Sequence, residues 1–227
     1  MKQCDELKLL IKFPTRQRPE KFFRVLDLYY EYIRGTNFEF VISCDEDDIS
    51  MNNSEVIEKL NSYPHLKYFF GLNKSKMEAI NNDMEGADFD ILLLASDDMQ
   101  PIKRGYDNII KNNMLKYFSD MDGVLWFNDG FQKSNLNTLV VCGKKYYDRF
   151  KYIYNPEYKS LYCDKEFTEV SINLGKVVYF EEIIIKHVQY SIIKEEPDSL
   201  YIRNDNLASL DFNTYNKRKM ANFPVNI

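Results

Sequence analysis

Glycine, histidine and tryptophan are all scarce in this 227-residue chain: 8, two and one, against 17 tyrosines and 16 phenylalanines. The shortage of glycine has an immediate consequence. The loop after the first apolar run, Pro14-Thr15-Arg16-Gln17-Arg18, contains none, so it is not a Gly-rich cradle for phosphate. No Gly/Ser linker, internal repeat or low-complexity tract divides the chain, which therefore reads as one domain with a tail. The four cysteines, Cys4, Cys44, Cys142 and Cys163, lack close metal-type spacing and read as reduced thiols. No apolar run approaches the ~20 residues of a membrane span. The N-terminus, Met1-Lys2-Gln3-Cys4-Asp5-Glu6, carries acids and no signal-peptide core, so a cytoplasmic protein is expected. A net charge of −5 and a pI near 5.3 argue against an extended nucleic-acid footprint.

What is present is a globular composition, 44% apolar, with enough length for a proper core. Strand-like and helix-like segments alternate in the first half. Leu7 to Phe13 reads as a strand. Pro19 stands at a first helical position, and Phe22, Leu26, Tyr29 and Ile33 share one helical face before Gly35. Phe38 to Cys44, Leu66 to Gly71 and Asp90 to Ala95 read as further strands. Ser54 to Leu60 and Lys74 to Met84 read as the helices between them. This order predicts a parallel sheet with helices on both faces. The second half is less regular. It contains a helix over Gly105 to Tyr117, short strands over Gly123 to Asn128 and Thr138 to Cys142, a helix over Cys163 to Leu174, and a strand-rich stretch from Val177 to Val188. Pro197 opens a C-terminal helical arm in this reading. The division is 1–195 for the main domain and 196–227 for the tail.

The most informative stretch is Phe89 to Pro101. The apolar run Ile91-Leu92-Leu93-Leu94-Ala95 ends abruptly in Ser96-Asp97-Asp98. It reads as a strand buried on both faces, with two carboxylates just past its carboxyl end, where open α/β sheets bind ligands. Two acids there attract a divalent cation, and a cation there suits a phosphorylated substrate. Three other polar clusters follow strands and belong to the same edge: Pro14 to Arg18, Asp45 to Asp48, and Asn73-Lys74-Ser75-Lys76. Arginine and lysine complement phosphate charge, and a carboxylate holds the metal. Each cluster alone also fits a solvated loop or a helix cap.

A strand ending in Pro-Thr-Arg, a second ending in Asp45 and a fourth ending in Ser-Asp-Asp together resemble the family-2-type glycosyltransferases with the GT-A fold. Tyr162-Cys163-Asp164-Lys165-Glu166-Phe167 is similar to that family's acidic segment. His187, after Ile183-Ile184-Ile185, is similar to a late metal-binding histidine. The tail is similar to that of small phage and bacterial members. The resemblance covers essentially the whole chain, which lacks the Gln-x-x-Arg-Trp acceptor motif of processive synthases. It implies an α/β fold: a GT-A-like, Rossmann-related mixed sheet, mostly parallel, with helices on both faces and a C-terminal helical tail.

By position, the resemblance implies roles for particular residues. Thr15, Arg16 and Asp45 would hold the nucleoside, with Arg18 on the same loop. Lys74 or Lys76 would approach the diphosphate, and Asp97 the ribose or sugar. Asp98 and His187 would bind Mn2+ or Mg2+. Asp164 would be the general base, with Glu166 as the alternative. The implied activity is metal-dependent transfer, with inversion, from a nucleotide-sugar donor, a UDP-sugar, to an acceptor hydroxyl. The acceptor stays open among a glycan, a protein, a small molecule and a modified DNA base. Two other readings stand beside it: a nucleotidyltransferase, which the missing Gly-rich loop disfavours, and a non-catalytic sugar-nucleotide-binding module. Asp129 is an acceptor-side candidate. Trp126 either stacks on a sugar or fills the core, and His65 reads as an ordinary loop residue.

Overall fold

A computed structural model describes residues 2–188 and 207–223. The first half alternates strictly: β1 (Leu9–Thr15), α1 (Pro19–Tyr32), β2 (Phe38–Asp45), α2 (Ser54–Asn61), β3 (Leu66–Gly71), α3 (Lys76–Asn81) and β4 (Ile91–Leu94). There follow β5 (Met99–Pro101), α4 (Tyr106–Tyr117), β6 (Val124–Phe127), β7 (Val141–Gly143), α5 (Lys144–Phe150), α6 (Cys163–Asn173), β8 (Val177–Phe180), β9 (Ile185–His187) and a last described helix, α7 (Ala208–Met220).

Seven strands form one sheet in the order β3-β2-β1-β4-β7-β6-β8. The pairs β3/β2, β2/β1, β1/β4 and β6/β8 are parallel. β7 runs antiparallel to both neighbours. It follows β6 through a loop rather than a helical crossover, and only parallel neighbours need the crossover. The sheet is therefore mixed and mostly parallel. β5 and β9 form a separate antiparallel pair.

Residues alternate between the two faces along each central strand, as the period of two requires. Leu9, Ile11, Phe13, Phe40, Ile42, Ile91 and Leu93 pack under α1, α2 and α4 with Phe22, Leu26, Tyr29, Leu60 and Ile110. Leu10, Val41, Leu92 and Leu94 pack on the opposite side with Met77, Ile80, Tyr146, Cys163 and Val170. Each such side chain contributes roughly 1.5–3 kcal/mol through burial. Trp126 belongs to this packing: it is buried, lies edge-on to Tyr179, and donates Nε1–H to the Lys133 carbonyl. That geometry corrects the sugar-stacking alternative. The four cysteines are free thiols.

Gly143 and Gly35 are among the glycines dictated by close approach. A Cβ at Gly143 would lie 2.2 Å from the Met121 carbonyl oxygen, and one at Gly35 would lie 2.8 Å from Asp107 Oδ2. The Asp107 carboxylate accepts the N–H groups of Arg34 and Gly35 at 3.0 and 2.7 Å. This bridges the exit of α1 to α4.

One polar side chain interrupts the apolar interior of β1. The Lys12 ammonium is fully buried on the Leu10 side of the sheet. It donates to the Ser43 hydroxyl and to the Asn82 carbonyl at 2.7 Å, with Asp83 at 3.8 Å. Burial pushes its pKa down to about 8, and Asp83 partly opposes the shift. The contact ties β1 and β2 to the exit of α3.

α7 is fastened to the body by charge. Arg218 donates to both carboxylate oxygens of buried Glu166, at 2.8 and 2.9 Å, and also pairs with Glu157. The sequence expectation for Pro197 lies outside the described residues. Among the described residues no helix is long and apolar enough to cross a membrane. Arg218→Ala would leave the buried Glu166 charge without its cation. We expect a loss of roughly 3–5 kcal/mol, measured by urea denaturation; an unchanged midpoint would refute this role for the pair.

Candidate active site

The carboxyl ends of β1, β2 and β4 open into one cleft of about 320 Å³. Its lining includes Thr15, Arg16, Arg18, Asp45, Lys74, Lys76, Asp97 and Asp98. These are the residues of the four strand-end clusters, brought together because parallel neighbours end on the same edge.

At the ends of β1 and β2, Arg16 pairs with Asp45 at 2.5 Å and with Asp47 at 2.6 Å. Asp45 also accepts from Asn73 Nδ2 at 2.7 Å, and Asn73 in turn accepts from Asn82. The carboxylate is thereby fixed in one orientation. Thr15 Oγ1 is buried and has no hydrogen-bond partner among the described residues. A buried hydroxyl left unpaired is unfavourable, so this oxygen is available to a bound molecule.

Beyond β4 the two acids differ. Asp97 receives both of its oxygens' contacts from Arg18 Nη1, each at 3.2 Å, with Lys21 at 3.9 Å. Burial and the adjacent Asp98 raise its pKa, and Arg18 opposes them. Asp98 is placed by main-chain pairing. Met99 stands opposite His187 in the β5/β9 ribbon, and Val188 N–H donates to the Asp98 carbonyl at 2.7 Å. This register brings His187 Nε2 to 3.6 Å from Asp98 Oδ2. Burial alone would raise the Asp98 pKa, but His187 and the Ser96 hydroxyl outweigh it and hold the carboxyl well below its usual range.

The far side of the imidazole meets Asp129. His187 Nδ1 lies 3.5 Å from Asp129 Oδ2, an ion pair too long for a full hydrogen bond. Asp129 is itself immobilised. Oδ1 accepts the N–H groups of Phe131, Gln132 and Lys133, and Oδ2 accepts the Thr138 hydroxyl. The His187 N–H donates to the Asp129 carbonyl at 2.8 Å. Carboxylate, imidazole and carboxylate thus stand in a row. The outer one, Asp129, holds the ring so that Nε2 faces Asp98. The acceptor-side reading of Asp129 gives way to this one, because its oxygens are consumed by the loop and His187.

The donor set of Asp98 and His187 fits a first-row divalent ion, for which carboxylate and imidazole are both suitable ligands. Among the described residues no group of three or more His, Cys, Asp or Glu side chains forms a ready cage. Phosphate oxygens would have to complete the shell.

Asp164, in the first turn of α6, is half-buried, and its Oδ1 accepts the Lys165 N–H at 2.8 Å. Burial raises its pKa; that N–H, Lys76 and His187 partly oppose the shift. Glu166 is different. It is buried between Tyr158, which donates at 2.7 Å, and Arg218. A carboxylate so occupied has no free basic oxygen, which corrects its place as the alternative base. Lys159, which the sequence reading missed, also lines the cleft; nothing adjacent to it in sequence marks it.

No protein-family model and no curated protein matches the sequence. Among solved structures, the mannosyltransferase PcManGT from Pyrobaculum calidifontis, in complex with GDP-Man and Mn2+, superposes with a TM-score of 0.62 at 14% identity. The match covers 86% of this chain and 59% of that one. S. aureus TarS 1–349 in complex with UDP-GlcNAc gives 0.62 at 14% identity, over 85% of this chain and 60% of that one. The chain therefore spans about 60% of the length of these structures. The fold is that of the GT-A-type glycosyltransferases.

The row of charges makes stability depend on pH. Burial would lower the His187 pKa, but Asp129 and Asp98 raise it to about 9. The folded pKa exceeds the unfolded value of about 6.5. The stabilisation is thus complete below about 6.5 and is lost as pH rises through about 9. In chelator, urea stability should fall across this window, and His187→Gln should flatten the fall. An equally steep fall in the variant would overturn the assignment.

Proposed function

We propose that this protein is a metal-assisted glycosyltransferase that takes a sugar from a nucleotide donor, a UDP-sugar, and gives it to an acceptor hydroxyl with inversion. The observation that carries this reading is the cleft that brings Asp98 together with Lys74, Lys76 and Thr15, whose hydroxyl has no partner among the described residues, with His187 Nε2 3.6 Å from the Asp98 carboxylate. The solved structures with the same fold include one bound to GDP-Man with Mn2+ and one bound to UDP-GlcNAc.

In this reading Thr15 and the fixed Asp45 carboxylate hold the nucleoside. Asp97, oriented by Arg18, contacts the ribose or the sugar. Lys74 and Lys76 neutralise phosphate charge. Asp98 and His187 hold the divalent ion, which supplies charge neutralisation to the departing diphosphate when bound. Asp164 accepts the proton of the acceptor hydroxyl. Its raised pKa makes the carboxylate more basic than a solvated one, and its place on α6 separates the basic function from the strand ends. Inversion needs that separation, because hydroxyl and leaving group occupy opposite faces of the sugar.

Two variants divide the labour. Asp98→Ala should abolish the gain in UDP affinity that Mn2+ confers over chelator, read by calorimetry. Equal binding with and without metal in the wild type would defeat the metal assignment. Asp164→Asn preserves shape and removes basicity. It should retain UDP binding and lower transfer or donor hydrolysis by about 10²–10⁴-fold; wild-type turnover in this variant would make Asp164 structural.

A further inference from the structure

The loop before α6 is held from beneath by a residue 52 positions further along the chain. The Asp211 carboxylate, fully buried in the first turn of α7, accepts three successive backbone N–H groups. Lys159 donates to Oδ1 at 2.9 Å, and Ser160 and Leu161 donate to Oδ2 at 2.8 and 2.7 Å. Three charge-assisted bonds to one carboxylate fix the direction of this backbone. Arg218, two turns later on the same helix, grips both flanks of the same segment through Glu157 and Glu166. α7 therefore sets where residues 157–166 lie.

The residue thus fixed is a lysine that lines the cleft. Lys159 is half-buried and shares the cleft with Lys74, Lys76 and Asp98. Among the described residues no carboxylate forms an ion pair or hydrogen bond with its ammonium, nor with those of Lys74 and Lys76. The contrast with Arg16 and Arg18 is plain, since both of those are paired with aspartates. Arginines paired in this way orient carboxylates, whereas lysines without such partners in a confined cleft supply uncompensated positive charge to an anion.

We infer that Lys159 is a phosphate-binding residue of the donor site and that Asp211 is its positioning residue. The inference rests on the nucleotide-donor reading for the identity of the anion, a diphosphate. It adds a cation from the second half of the chain to Lys74 and Lys76 at the start of α3, so that the phosphates are met by charge from two separate parts of the fold. It also gives α7 a functional reason to be fastened so firmly.

The test is calorimetry on the full chain, titrated with UDP, GDP, uridine and inorganic pyrophosphate, in Mn2+ and in chelator. Lys159→Ala should weaken UDP or GDP about tenfold, the loss of one charge-assisted phosphate contact. Uridine binding and the melting temperature should not change, and Lys159→Arg should recover most of the loss. Asp211→Asn should weaken the diphosphates in the same way without touching uridine. If it unfolds the protein instead, Lys159→Ala and Lys159→Arg decide alone. Unchanged diphosphate affinity in Lys159→Ala overturns the inference, as does an equal loss of uridine. Should the wild type bind neither UDP nor GDP, the nucleotide-donor reading fails by itself. Pyrophosphate then decides Lys159 separately: weaker binding in Lys159→Ala supports an anion site, while equal binding, or none by the wild type, overturns it.

Discussion

The row of Asp98, His187 and Asp129 depends on the pairing of β5 with β9. Neither strand belongs to the main sheet, and each has only three residues. Their register nevertheless sets Met99 against His187 and bonds Val188 to the Asp98 carbonyl. Late chain is thereby locked against the end of β4. Three charged groups from segments far apart in sequence come into one row. Two carboxylates facing each other across a neutral ring would repel; the imidazolium resolves this, and the mutual effect is visible in the pKa directions of all three. A divalent cation between Asp98 and His187, as proposed, would relieve the same charge, so proton and metal would compete for one position.

The two halves of the chain contribute in different ways. The first half supplies strand ends, which are rigid because β1 and β4 are buried on both faces. Its polar residues are largely matched: Arg16 with Asp45 and Asp47, Arg18 with Asp97, Asn73 with Asp45. The second half supplies loop and helix-start residues whose positions must be imposed. The Asp129 turn imposes that of His187, and α7 imposes that of residues 157–166. Buried carboxylates serve as anchors in both cases, each accepting three backbone N–H groups.

The strand ends were legible in the sequence because a parallel sheet makes adjacency automatic. Once Leu9–Thr15, Phe38–Asp45 and Ile91–Leu94 are strands, the residues after them share an edge. Leu66–Gly71 matched its expected bounds, whereas Lys76–Asn81 starts two residues later and ends three earlier than the expected Lys74 to Met84. What could not be read was long-range and polar. Glu166 has the same local appearance as Asp164, and only the approach of Arg218 separates a buried ion pair from a half-buried acid. Thr138 to Cys142 reads as a strand and the resemblance implies a mixed sheet, but which strand runs antiparallel was not legible, because strand direction is set by long-range pairing rather than by local pattern. Lys159 escaped because its anchor is Asp211.

These observations give the tail helix a definite physical meaning. A surface helix could be held by an apolar stripe alone, and α7 does bury Tyr215. It also buries Asp211 and Arg218, two charges of opposite sign on one helix, each matched to a separate part of the same segment. Buried ion pairs contribute little net stability compared with apolar packing of similar volume. Their effect is directional: a carboxylate meeting three successive N–H groups accepts one backbone path, and a guanidinium gripping two glutamates accepts one spacing between them. Such a helix fixes the relation between Lys159 and Asp164. In the proposed chemistry that is the relation between charge on the leaving diphosphate and the base on the acceptor hydroxyl.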